Sequence, residues 1–138
     1  MKTIFVAGGS DERGEIAAAI SMLRAAGWTI TFDWPEAMKT EPETKGPEFC
    51  DALANRLENA LEAASFAWVM LPKKKSEGAA YEMGFFRGLL RGRQSNGRAL
   101  LVSGDAASLG RIYPYRAAAQ GAMFADHADA LEYLVKMR

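Results

Sequence analysis

Apolar residues in this chain fall into two patterns: short unbroken runs, and longer stretches where they recur every three or four positions. The run Thr3–Ala7 (TIFVA) is β-branched and aromatic and stops at Gly8-Gly9-Ser10, which predicts a strand ending in a loop. Over residues 13–26, Ile16, Ile20 and Leu23 share one helical face, and Gly27 is a fitting stop. Residues 28–32 predict a second strand, running into Asp33-Trp34-Pro35. Residues 36–47 are charged, are crossed by the prolines Pro35, Pro42 and Pro47, and follow neither period. They are expected to form a mobile surface loop, either plainly solvated or able to close over a site.

A second helix is expected over residues 48–64, with Phe49, Leu53, Leu57 and Leu61 as its core stripe. Residues 66–71 (FAWVML) predict a third strand, halted by Pro72. After a lysine-rich loop, a third helix starts near Ala79 and carries Met83, Phe86 and Leu90 on its inner face. Ser95-Asn96-Gly97 predicts a turn, residues 98–103 a fourth strand and residues 121–124 a weak fifth. Asp126 is the expected cap of a last helix over 128–137, with Leu131, Leu134 and Val135 turned inward. Five strands alternating with helices predict an α/β fold. The expected form is a single-domain three-layer sandwich spanning residues 1–138, with a five-stranded parallel sheet in Rossmann-like or flavodoxin-like order. In either order, the loops after strands one and three can meet over one crevice at the carboxyl edge of the sheet.

Composition narrows the function classes. The 138 residues include 17 basic and 17 acidic side chains, so the formal charge is zero, which argues against a nucleic-acid polymer or an anionic membrane as main partner. Cys50 and His127 are the sole residues of their types, which removes a disulfide framework, a Cys/His metal site and a good Ser/His triad; no metal or cofactor is expected. The N-terminus lacks a signal-peptide pattern and no apolar run nears ~18 residues, so a cytoplasmic protein is the default expectation.

The candidate chemistry lies in the two converging loops. Gly8, Gly9 and Ser10 precede a helix and offer backbone N–H groups, a hydroxyl and a positive helix end, suited to phosphate or carboxylate; the alternative is a tight turn that needs glycine. Arg13 can add a charge-assisted contact. In the second loop Ser76 and Gly78 stand six and four positions before Glu82, and Lys73, Lys74 and Lys75 raise the local potential. Glu82 would feel the positive helix end, which favours its ionised form and makes it a candidate nucleophile; the plainer role is to complement the dipole. Tyr81 either orients that carboxylate or packs.

With Ala7-Gly8-Gly9-Ser10 and Arg13 at the first strand, and S-x-G-x-x-Y-E-x-G as Ser76, Gly78, Tyr81, Glu82 and Gly84 after the third, the chain resembles the nucleoside 2-deoxyribosyltransferase superfamily. It looks most like the nucleoside 5′-monophosphate N-glycosidase branch. The resemblance implies that Glu82 attacks the anomeric carbon, releases the base and leaves a glycosyl ester, which water hydrolyses or a second base intercepts. Serine at position 76, where transferases on free nucleosides carry an aspartate, implies a 5′-phosphate. The family's second acid would fall on Glu58, with Asp51 as a substitute. A neighbouring subunit would add residues from the segment 108–115, where Arg111 could reach a phosphate, so a homodimer or larger homo-oligomer is implied. Competing readings are a base-exchanging transferase, a non-catalytic nucleotide sensor, a phosphoribohydrolase (whose P-G-G-x-G-T-x-x-E loop is absent) and a flavin carrier.

Overall fold

The computed structural model describes residues 2–92, 97–105 and 122–137. Five parallel strands form one sheet: β1 (Thr3–Ala7), β2 (Thr29–Ile30), β3 (Phe66–Met70), β4 (Ala99–Ser103) and β5 (Ala122–Phe124), in the order β2-β1-β3-β4-β5. This is the flavodoxin-like order of the two expected. The registers are continuous: Ile4 to Ala7 face Phe66 to Val69, and Phe66 to Met70 face Ala99 to Ser103.

The helices are α1 (Arg13–Ala25), α2 (Trp34–Met38), α3 (Pro47–Ala63), α4 (Glu77–Arg91) and α5 (His127–Lys136), with a 3-10 turn at Ser10–Glu12. Side chains alternate across a strand, so each central strand feeds two cores. Phe5, Ala7, Ala67, Val69, Leu100 and Val102 pack under α3 and α4, against Leu61, Met83 and Phe86. Ile4, Val6, Trp68, Met70 and Leu101 pack on the opposite face, against α1 and α5 through Ile16, Ile20, Leu23 and Leu134. Both faces are covered, which gives the three layers and explains why these strands read as unbroken apolar runs.

The structure departs from the sequence expectations at several elements; Asp126 stands at the N-cap of α5, but its side chain makes no capping hydrogen bond. The second strand is only Thr29–Ile30, because both flanking aromatics are used elsewhere. Trp28 donates its indole N–H to Leu134 O at 3.0 Å and meets Phe66 edge-on, while Phe32 is buried under α3 and α4. The expected loop opens with helix α2: Asp33 Oδ1 accepts from Glu36 N–H at 3.2 Å, and Pro35 sits in the first turn. On α5, Leu134 is buried and Leu131 partly so, but Val135 is 36 % exposed, because α5 meets the sheet through Ala130 and Leu134.

Candidate active site

A parallel sheet in this order has its switch point between β1 and β3, where the connections leave towards opposite sides and a crevice opens at the carboxyl edge. The two loops meet there. A β-carbon on Gly9 would lie 3.5 Å from Ser76 Cβ, 3.2 Å from Pro72 Cβ and 2.8 Å from Glu12 Oε1. One on Gly8 would lie 2.6 Å from Ile16 Cδ1. Neither glycine has positive φ, so crowding by Ile16 at Gly8 and by Glu12 and Pro72 at Gly9, rather than backbone conformation, is what calls for glycine here.

In the first loop Glu12 folds back. Its carboxylate accepts from Gly9 N–H at 3.2 Å while Glu12 N–H donates to Gly9 O at 3.0 Å, and Glu12 is 1 % exposed. The Gly9 amide expected to meet an anion is therefore already committed to an internal carboxylate. Ser10 remains at the rim. In the second loop Ser76 is the N-cap of α4, its Oγ accepting from Ala79 N–H at 3.2 Å. A serine hydroxyl accepting in this way still has its proton to donate outward.

Glu82 lies one turn beyond Gly78 on the same face of α4 and is 7 % exposed. Burial raises its carboxyl from the usual 4.5 to about 8, and among the described residues no polar side chain offsets that. This corrects the expectation of an ionised group. Helix α4 starts at Glu77, so Glu82 stands in the second turn, where the field of the helix end has faded and desolvation decides.

Three hollows run in sequence across this edge. One of about 250 Å³ is lined by Gly9, Ser10, Asp11, Lys74, Lys75 and Ser76 among others, and the ends are bridged by Lys74 Nζ and Asp11 Oδ2 at 3.5 Å. The middle one, about 240 Å³, shares Ser10 and Ser76 with it and contains Gly8, Gly78 and Glu82. Its far wall is Trp34, Met38, Glu41, Lys45, Leu53 and Leu57. The third, about 650 Å³, shares Phe32, Ala37, Glu41 and Leu53 with the middle one. Trp34 is a fixed part of the wall, its indole N–H donating to Val6 O at 2.8 Å. Of the stripe expected as core, Leu53 and Leu57 flank the core and line the cavity, and Phe49 lines the large groove.

Among solved structures, the chain matches the Clostridium botulinum CMP N-glycosidase BcmB with a TM-score of 0.64 at 15 % identity, over 96 % of this chain and 97 % of that one. The two chains share a fold. The match supports the resemblance read from the two loop motifs, and at this identity it carries the architecture alone. No protein-family model and no curated protein matches the chain.

The structure thus brings Gly8, Ser10, Ser76, Gly78 and Glu82 to one cavity, with Gly9 in the wall of the adjoining lysine-lined hollow. Arg13 is exposed in the first turn of α1 and lines none of the three hollows. Tyr81 is 47 % exposed and its phenol donates to Glu58 Oε2 at 2.6 Å, a tie between α4 and α3 that does not line the cavity. That bond raises the Tyr81 phenol above its ordinary range. Asp51 is exposed on the outer face of α3. Arg111, the segment 108–115, and Ser95 and Asn96 of the expected turn lie outside the described residues. Among the described residues no cluster of three or more His, Cys, Asp or Glu could hold a metal ion, and no helix is long and apolar enough to cross a membrane.

Sequence reading missed Glu12, Trp34, Glu41 and Lys45. Asp33 followed by Pro35 and Glu36 was the available signal for α2; the two charged residues beyond it carry no pattern of their own.

Proposed function

We propose that the protein hydrolyses the N-glycosidic bond of a nucleoside 5′-monophosphate, with Glu82 as nucleophile. The observation that carries this reading is a buried carboxyl in the same small cavity as two serine hydroxyls on converging loops. The fold shared with a CMP N-glycosidase supports it.

In this reading the 5′-phosphate rests between Ser10 and Ser76, near Lys74, Lys75 and the free first-turn N–H groups of α4. The sugar then lies over Gly8 and Gly78, with its anomeric carbon facing Glu82. Ionised Glu82 forms a C–O bond as the C–N bond breaks; the bonding pair leaves with the base, which takes a proton, and water then cleaves the ester to sugar 5-phosphate. The apolar wall of Trp34, Leu53 and Leu57 covers the base and limits water around the developing charge. Tyr81 and Glu58 act here only as a tie between helices.

The test is incubation with ribo- and deoxyribonucleoside 5′-monophosphates and chromatographic detection of free base, with Glu82→Gln as control. Base release that Glu82→Gln abolishes, with nucleotide binding kept, is the expected result. Release only when an acceptor base is added identifies a transferase instead, and tight binding without turnover identifies a sensor. Near-wild-type turnover in the variant removes Glu82 from the role.

A further inference from the structure

The cavity's polar side chains divide into two groups. Ser10, Ser76 and Glu82 are those that the phosphate and sugar engage in the proposed reading. The remainder are Glu41 and Lys45, on the segment between α2 and α3, where Lys45 Nζ lies 2.9 Å from Glu41 Oε2. The order of the hollows sets which end they occupy. Ser10 and Ser76 border the lysine-lined hollow, and Glu41 borders the large groove on the other side. A nucleotide lying with its phosphate at the serines therefore points the far edge of its base at Glu41. The intervening walls, Phe32, Trp34, Leu53 and Leu57, are apolar or aromatic, and the Trp34 N–H is already committed to Val6 O.

Resting on that reading of the site, we infer that Glu41 is the residue that selects the base, accepting a hydrogen bond from an exocyclic amine on its far edge, with Lys45 as the countercharge. The deeper of the pair sets the selection: the Glu41 side chain is 17 % exposed, against 47 % for Lys45. An ion-paired carboxylate only accepts hydrogen bonds, so it matches the 4-amino group of cytosine or the 6-amino group of adenine. A keto oxygen at the same place on a base without an exocyclic amine, as in uracil or hypoxanthine, sets two acceptors against each other in a partly buried site. Rejection of that kind comes from leaving a buried polar group unpaired.

Binding to the Glu82→Gln variant tests this apart from turnover. Calorimetry with CMP against UMP and AMP against IMP is expected to give at least about tenfold tighter binding of the two amino nucleotides than of their keto counterparts, as one charge-assisted hydrogen bond warrants. Adding Glu41→Gln, whose amide both donates and accepts, narrows each ratio to within about threefold. Lys45→Met on the same background keeps the preference. Equal affinities for amino and keto nucleotides in the Glu82→Gln protein overturn the inference, as does loss of preference in Lys45→Met as complete as in Glu41→Gln. An amine preference in binding without base release by the wild type overturns the hydrolase reading and leaves the role of Glu41 standing.

Discussion

Gly9 and Ser76, far apart in the chain, approach so closely that a β-carbon on the glycine would touch that of the serine at 3.5 Å. The contact brings the two loops together, and what crowds position 9 is Glu12 Oε1 at 2.8 Å and Pro72 Cβ at 3.2 Å. Gly9→Ala pushes a methyl against the Glu12 carboxylate and Pro72, so the buried bond from Gly9 N–H to Glu12 must shift. The expected cost is about 1–3 kcal/mol, read as a lower urea midpoint, together with a marked loss of base release.

Burying Glu82 links stability to pH. Below pH 4.5 the carboxyl is protonated in both the folded and unfolded chain; above it the unfolded chain ionises first, while the folded chain holds its proton up to about 8. Stability is therefore fully present at acid pH and drains away as pH rises through that window, by roughly 5 kcal/mol at most. Glu82→Gln, neutral throughout, should match the wild type near pH 4.5 and exceed it at pH 8. Urea denaturation at three pH values checks this, and a pH-independent difference would contradict it.

The same ionisation governs catalysis in the opposite sense. Attack requires the carboxylate, and kcat/KM reports groups of the free enzyme. On the proposed mechanism kcat/KM rises about tenfold per pH unit below about 8 and levels above it. A profile flat from pH 5 to 9 would exclude a titrating Glu82 as nucleophile.

Tyr81→Phe removes one exposed hydrogen bond, to Glu58, and nothing from the cavity. Its expected effects are under about 1 kcal/mol in stability and less than about threefold in turnover. A hundredfold loss of kcat would mean that the phenol reaches the substrate after all.

Ser103 is fully buried at the end of β4, where its Oγ accepts from the Trp68 indole N–H at 2.7 Å and lies 2.7 Å from His127 Nδ1. Trp68 can only donate, so the serine proton is free for the histidine. Ser103→Ala leaves the indole N–H unsatisfied in the core, at a cost of about 1–3 kcal/mol. Denaturation followed by tryptophan fluorescence measures it, and Ser103→Thr should recover part.

Most of the architecture was legible because the two periods are unmistakable here. β1, β3 and β4 are apolar on both faces, and α1 and α4 place their inner residues at helical spacing. What escaped were features that depend on a neighbour. The Phe49–Leu61 row keeps its period along α3, yet Phe49, Leu53 and Leu57 end at hollows and Leu61 in the core, which spacing alone does not encode. Likewise Tyr81 and Glu82 are adjacent in sequence, but one step along a helix turns a side chain by about 100°, so one faces solvent and the other the cavity. Glu12 and Arg13 part in the same way where the 3-10 turn meets α1. The ionisation of Glu82 was misjudged because the sequence displays the helix start but not the depth of burial.

The neighbouring placement of β1 and β3 also has a kinetic side. Their pairing spans α1, β2, α2 and α3, so the reactive acid and the glycine turn come together only by closing a long stretch of polypeptide. Contacts of that range form late and slowly compared with helical turns. During refolding, helical signal should thus recover before any capacity to hold a nucleotide, and a fragment ending before β3 would have half a cradle and nothing to fill it.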